Sequence, residues 1–314
     1  MNTQHKIIIV DVLATALEPL HQGGDSTGTT LAELRREEFI VDGRIERIPV
    51  ISANSIGHAL REATAYWFMD RAGIRRFEAS QMRAVNLLFS GGGKVRKVNS
   101  PGYISVAEDR ELRALFPPLS IFGGSFGNRM LKGRLRVGSG IPVCRETVES
   151  LPDWLKPSAS LSVYDLIQEL NFSTFDPREN ADYEHFLDAK IFEQYRAEQE
   201  ERRKKNKAGA EMKLRRSVEC LKAGTKLWFE LRLQYPTTID LGTFLGGLGY
   251  FYERPFLGGK RNRGFGRIKV EFRGFEVKGL SRVERDLADT EAIDQAAAHL
   301  SANADKIREV IDEL

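Results

Sequence analysis

The hydrophobic pattern begins with an almost unbroken apolar run, Lys6 to Leu17 (KIIIVDVLATAL), rich in β-branched residues. Too few polar positions interrupt it for a strand with one wet face, so it predicts a strand buried on both faces over part of its length. Gly23 to Thr29 is turn-rich, and LAELRREEFIVDGRIERIPVI then reads as a short amphipathic segment followed by a hairpin turning at Asp42-Gly43. At Ser52-Ala53-Asn54-Ser55, capping side chains precede IGHALREATAYWFMDRAG, where Ile56, Leu60, Ala63 and Trp67 recur at helical spacing and Gly73 ends the run.

From Glu78 to Pro118 the regularity lapses. Gly91-Gly92-Gly93 lies among Arg83, Lys94, Arg96 and Lys97, and a short helix is predicted from Asp109 to Phe116. The stretch reads as an insertion. Leu119 to Val143 then predicts a glycine-rich turn and a strand, Gly133 to Gly138, on which Arg134 and Arg136 share a face. Ser160 to Leu214 has no clean strand pattern. Alternation returns at Ser217-Val218-Glu219-Cys220, turns at Ala223-Gly224-Thr225, and continues through KLWFELRLQY, where Leu227, Phe229, Leu231 and Leu233 alternate with Trp228, Glu230 and Arg232. A glycine-rich second helix of modest propensity follows Pro236, then a loop and a last strand, FLGGKRNRGFGRIKVEFRGFEVKG, and a terminal helix or helix pair from Ser281. Two βαβ halves around an antiparallel sheet make the fold class α+β, with a ferredoxin-like (RRM-like) palm and inserted helical subdomains. The palm is expected over 1–77, 119–170 and 217–280, an insertion over 78–118, a basic arm over 171–216 and an acidic helical tail over 281–314.

With 314 residues and 41% hydrophobic content, the chain can bury a large core. It has neither a run long enough to span a bilayer nor a leader pattern, so a cytoplasmic location without membrane contact is expected. Cys144 and Cys220 fit no disulfide or zinc pattern and read as buried thiols. The net charge is only +3, but it is unevenly placed. Ser281 to Leu314 holds nine acidic residues against four basic ones, which leaves the rest of the chain distinctly basic. Gln194 to Arg216 holds nine Lys/Arg against four Glu, and Gly258 to Val270 holds five Lys/Arg and no acid. Both clusters are candidate footprints for a polyanion.

Candidate chemistry concentrates in Gly258-Gly259-Lys260-Arg261-Asn262-Arg263-Gly264-Phe265-Gly266-Arg267. Glycines let a backbone approach a phosphate, guanidiniums pair its oxygens bidentately, and Phe265 can stack on a base or anchor the loop. The plain alternative is a basic hairpin turn. Other chemistries fail on spacing. GGGKV lacks the first glycine of a P-loop, which is Leu88, and has Val95 where Ser or Thr belongs. His5, His21, His58, His185 and His299 form no metal spacing, so neither metal nor cofactor is expected. Asp25, Glu37 and Glu38 lack an assisting histidine by sequence, and surface solvation is the simpler role.

Four stretches, in order and spanning most of the chain, resemble the RAMP-superfamily backbone subunits of class 1 CRISPR effector complexes, most closely the type IV version. They are IPVISANSIGHALR (Ile48 to Arg61), LSIFGGSFGNRMLKGRLRV (Leu119 to Val137), RRSVECLKAGTKLWFEL (Arg215 to Leu231) and LGGKRNRGFGRIKV (Leu257 to Val270). The resemblance implies an RRM-like palm whose serine turn and glycine-rich loop face the guide RNA, and a thumb that wedges between guide and target. By position it implies guide contact at Ser52, Asn54, Ser55 and Arg61, at Lys260, Arg261, Asn262, Arg263 and Arg267, and at Met212, Lys213, Arg215 and Arg216 beside the thumb. His58, Gly259, Phe265 and, in the insertion, Lys94 and Arg96 are added as RNA-contact candidates from their own chemistry and setting. The thumb falls within about 171–216.

Type III relatives place a small residue where His58 stands and commonly a basic one at Gly57. Their target-cleaving aspartate would fall near Glu37 or Glu38, so no catalytic residue is expected. The implied partners are guide RNA, complementary target nucleic acid (DNA by the type IV likeness), copies of the chain, other effector subunits and an accessory helicase. The alternatives are a RAMP-type endoribonuclease, for which only His21 and His58 are available, and a self-associating protein that binds no RNA.

Overall fold

In a computed structural model of the chain, residues 6–24, 31–92, 106–126, 129–172 and 216–313 are described, together with 193, 194 and 197. The first half runs β1 (Ile7–Ala16), β2 (Leu31–Ala32), β3 (Arg36–Val41), β4 (Arg44–Pro49), α1 (Ala53–Arg71), α2 (Met82–Ser90), α3 (Val106–Leu115), α4 (Pro117–Phe122), β5 (Gly123–Phe126) and β6 (Arg129–Lys132). The second runs β7 (Leu135–Val137), β8 (Ile141–Pro142), α5 (Val163–Leu166), β9 (Ile167–Phe172), β10 (Arg216–Leu221), β11 (Lys226–Gln234), α6 (Thr238–Glu253), β12 (Ile268–Lys278), β13 (Ser281–Arg285), α7 (Thr290–Ala302) and α8 (Ala304–Glu313).

The main sheet has the order β13-β12-β1-β11-β7, with β8 also pairing β11, and every pairing in it is antiparallel. Taking β7 and β8 as one broken strand, its inner order is fourth, first, third, second, with α1 and α6 as the two crossovers. This is the expected ferredoxin-like palm. The apolar opening run becomes β1, at its centre. One side of β1 (Ile8, Val10, Val12, Ala14) packs with Ile56, Leu60, Phe244 and Leu248 of the helices. Leu13, on the other side, packs with Val50, Ile141, Leu151 and Leu155 under the 143–159 segment. The strand is wet on neither face, which is why its sequence does not alternate.

The glycines of α6 serve close packing. A Cβ on Gly246 would sit 2.3 Å from the Trp67 ring, one on Gly247 2.2 Å from Thr64 Oγ1, and one on Gly242 1.9 Å from the Ala292 carbonyl. Each glycine costs about 1 kcal/mol of helix propensity, and the approach of α6 to both α1 and α7 outweighs that cost. The acidic tail is thereby docked: Ala296, Leu300, Ile307 and Ile311 share a second core with Trp67, Phe68 and Leu119.

Several local expectations change. Ser281 to Arg285 begins no helix. Gly279, at φ +61, reverses the chain so that β13 pairs back on β12 as an exposed edge strand. β10 and β11 do not form one strand pair, because β10 joins a separate sheet, parallel to β2 and antiparallel to β9. The Glu219 carboxylate draws it there by accepting hydrogen bonds from Leu34 N (2.9 Å) and from the Arg36 guanidinium. The expected glycine-rich turn near 123–132 is a hairpin, β5 with β6. The β3–β4 hairpin turns at Asp42 and Gly43 as expected, both at positive φ. Among the described residues no helix is long and apolar enough to cross a membrane.

Candidate nucleic-acid interface

The glycine-rich loop is shaped by its backbone before its charges matter. Beyond β1 the chain runs as a narrow strip along it: Leu17 N donates to the Arg267 carbonyl (2.9 Å), Gly266 N to that of Pro19 (3.0 Å) and Gly259 N to that of His21 (2.7 Å). Gly258, at φ +78, lies so close to this strip that a Cβ would stand 2.5 Å from the His21 carbonyl oxygen. Lys260 takes a left-handed conformation (φ 61), Arg261–Arg263 make one 3₁₀ turn, and Gly264 closes it left-handed (φ 77). A non-glycine residue at positive φ is uncommon and costs of order 1–3 kcal/mol. Here it ejects Arg261, Asn262 and Arg263 into solvent, where all three are exposed.

The serine turn sits beside this loop. Ser52 caps α1, its Oγ accepting from Ser55 N at 3.3 Å. Gln22 clamps the cap, donating through Nε2 to Ser52 Oγ (2.7 Å) and accepting from Ser52 N (2.7 Å). Asn54, His58 and Glu62 follow at four-residue spacing and so share a helix face. Arg261 reaches Glu62 at 3.6 Å, which puts the loop against that face. The Ser52-capped N-terminus of a 19-residue helix with no acid in its first turn, exposed Asn54 and His58, and the loop cations thus converge. Arg267, also exposed, pairs with Glu18 at 3.3 Å, whereas Lys260 and Arg263 have no carboxylate partner among the described residues.

Three expected contact residues are structural instead. Arg61 is turned inward, donating to the carbonyls of Phe122 (3.1 Å) and Gly123 (3.0 Å) with its guanidinium 5.2 Å from the Phe122 ring. Burial lowers its pKa to about 10. It ties α1 to the turn between α4 and β5. Phe265 is buried with Val218 and Cys220, so it anchors the loop on β10 and offers no face to a base. Ser52 is buried, with its hydroxyl occupied by capping and by Gln22. Ser55 is half-buried and Gly259 exposed. Lys94 and Arg96, Met212, Lys213 and Arg215, the body of the thumb, and Asp25 lie outside the described residues. Of Arg216 only the backbone, paired with Phe172, is described.

Sequence reasoning missed Gln22 and the structural part of His21. Gln22 carries no signal beyond lying between two motifs. His21 is buried, its Nδ1 2.7 Å from the Glu219 carbonyl. A carbonyl can only accept, so Nδ1 carries the proton. Burial, the larger cause, and the nearby Lys260 charge lower its pKa. Glu37 accepts from Ser139 Oγ (2.8 Å), and Glu38 is exposed. Among the described residues no cluster of His, Cys, Asp or Glu is arranged to hold a metal ion.

No protein-family model matches the sequence, and no curated protein matches it. Among solved structures, the chain is similar to a chain of a Type IV-B CRISPR complex with TM-score 0.53 and 20% identity, over 91% of this chain and 98% of that one. It also aligns with Thermofilum pendens Csc2 with TM-score 0.42 and 14% identity, over 99% of this chain and 76% of that one. The likeness that the four sequence stretches imply is therefore met at the level of architecture: this chain has the fold of a chain of a Type IV-B CRISPR complex.

Proposed function

We propose that the chain is a non-catalytic subunit of a CRISPR effector complex that binds guide RNA by its phosphate backbone and repeats along it. The observation that carries this reading is the Lys260–Arg263 turn, held outward by a strained backbone beside the N-terminus of α1, in a chain with the fold of a Type IV-B CRISPR complex chain. The donors are guanidiniums, an ammonium and helix N–H groups, which read phosphates and carry no sequence information. With Phe265 buried, the loop has no aromatic of its own to discriminate bases. Base pairing by the guide then reads sequence while the subunit reads backbone and geometry.

The surroundings of two of the candidate acid–base groups support the non-catalytic part. His21 is buried against a carbonyl, and Glu37 is engaged by Ser139. The partners on this reading are guide RNA, copies of the chain, other effector subunits and a complementary target, for which the type IV likeness favours DNA and an accessory helicase. Fluorescence anisotropy with labelled guide RNA tests the site. Lys260→Ala/Arg261→Ala/Arg263→Ala should weaken binding regardless of RNA sequence and flatten the slope of log affinity against log salt by about 2, at ~0.7 per single-strand phosphate contact. Unchanged binding would remove the site. Cleavage of precursor or complementary RNA by the loaded protein, abolished in Glu37→Ala, would replace the non-catalytic reading with the nuclease one.

A further inference from the structure

The palm sheet has a second basic surface at its other end. The glycine-rich loop enters β12 at Ile268, opposite Ala16, and there β11 begins, with Lys226 opposite Thr15. Gln234, at the far end of β11, lies opposite Ile7. The eight residue steps between Lys226 and Gln234 span roughly 26 Å at ~3.3 Å each, so this surface is no extension of the loop site. Two open clefts of about 430 and 380 Å³ share Gln234 as a common wall.

The clefts hold more positive charge than their carboxylates compensate. In the first, Asp109 grips Arg113 through both oxygens (2.9 and 3.0 Å), and Arg134 is held by Asp240 (3.3 Å), Ser120 and the Tyr235 carbonyl. That leaves the exposed Arg110 and Lys132 with no carboxylate partner among the described residues. In the second, Arg136 lies directly opposite Arg232 across the β7–β11 pair, a like-charge arrangement that destabilises a sheet. Glu230 is shared between Arg232 and Arg282, at 2.9 Å each, and Arg136 has no carboxylate partner among the described residues. Lys132 closes β6 and Arg136 sits on β7, either side of the bend at Arg134. Beside them stands Tyr235, 50% exposed and at φ +50, a strained conformation for an aromatic residue. Its N–H, bonded to the Lys6 carbonyl at 2.8 Å, and its carbonyl, bonded by Arg134, pin it there.

We infer that this groove is a second nucleic-acid site, which takes one single strand with phosphates on Arg110, Lys132 and Arg136 and a base stacked on Tyr235. A row of cations beside a presented aromatic ring is the combination that binds single strands without sequence preference. The inference does not rest on the guide-binding loop.

A labelled single-stranded oligonucleotide tests it in the Lys260→Ala/Arg261→Ala/Arg263→Ala background, by anisotropy across a salt series. Adding Arg110→Ala/Lys132→Ala/Arg136→Ala should lower affinity at least tenfold and flatten the salt slope by about 2 more, at ~0.7 per contact. Tyr235→Ala should weaken binding by about fivefold or more, with Tyr235→Phe close to the parent. Photocrosslinking should place the strand on the peptides that carry Lys132, Arg136 and Tyr235. The three cations are exposed, so an unchanged melting temperature confirms intact folding. Equal affinity and slope with and without the groove substitutions would overturn the inference, as would crosslinks confined to other surfaces. Groove-dependent binding of a polyglutamate peptide without binding of the oligonucleotide would also overturn it. Failure of the loop reading shows separately, as wild-type guide affinity in the parent triple variant.

Discussion

The two ends of the palm sheet both gather cations, and they hold them by different means. At the loop end, a glycine with no room for a side chain and a left-handed Lys260 push three consecutive residues into solvent. At the groove end, strand register sets Arg136 against Arg232, and a pinned Tyr235 stands beside them. The loop owes its charge presentation to backbone conformation, so one well-chosen change in its footing should dismantle it. The groove owes its charge to side chains on a hydrogen-bonded sheet and should survive that change. Arg61 and Arg263 draw the same line within one candidate interface: one arginine is consumed by carbonyls, the other is offered outward.

The largest expected effect is on the footing. Phe265→Ala should cost about 3 kcal/mol in denaturant unfolding, at the lower end for a buried phenylalanine, and should also weaken guide binding because the loop loses its anchor. Loss of stability with full guide affinity would break the link between footing and charge presentation. Gly258→Val should cost about 2 kcal/mol, from forcing a β-branched residue into positive φ against the His21 carbonyl, while leaving oligonucleotide binding at the groove intact.

Arg61→Ala should cost about 2 kcal/mol in stability, through hydrogen bonds from a charged donor to buried carbonyls, with the salt slope of RNA binding unchanged. Arg263→Ala should do the reverse: stability within about 0.5 kcal/mol, and a salt slope flatter by ~0.7. The smallest effect concerns pH. The folded His21 pKa is lowered, so folding excludes a proton that the unfolded chain takes up below its ordinary value of 6.5. Stability is therefore unaffected well above that pH and falls as pH drops through it, until the folded pKa is reached. Melting curves from pH 8 to pH 5 should show this loss in the wild type and its absence in His21→Gln.

Much of the architecture was legible because it rests on local rules. Alternation marked β11, capping residues and spacing marked α1, Asp42-Gly43 marked the hairpin, and an unbroken apolar run marked a strand covered on both faces. The site was legible as a composition and not as a geometry. Glycine and arginine crowding identified the loop but left Phe265 open between stacking and anchoring, which burial against β10 decides, and the resemblance put Arg61 on the guide when its guanidinium is turned toward carbonyls. The register of β10 was also illegible, since it depends on the Glu219 carboxylate meeting Leu34 and Arg36, more than 180 residues away.

By itself the sequence determined which segments fold as strands and helices, and where positive charge is dense, because periodicity, turn chemistry and charge are properties of neighbouring residues. Only the tertiary structure decided which of those charges are available. Whether an arginine meets a carbonyl, a carboxylate or water depends on what packing brings within about 3 Å of it. For Arg61 that was the turn after α4, and for Arg263 it was solvent.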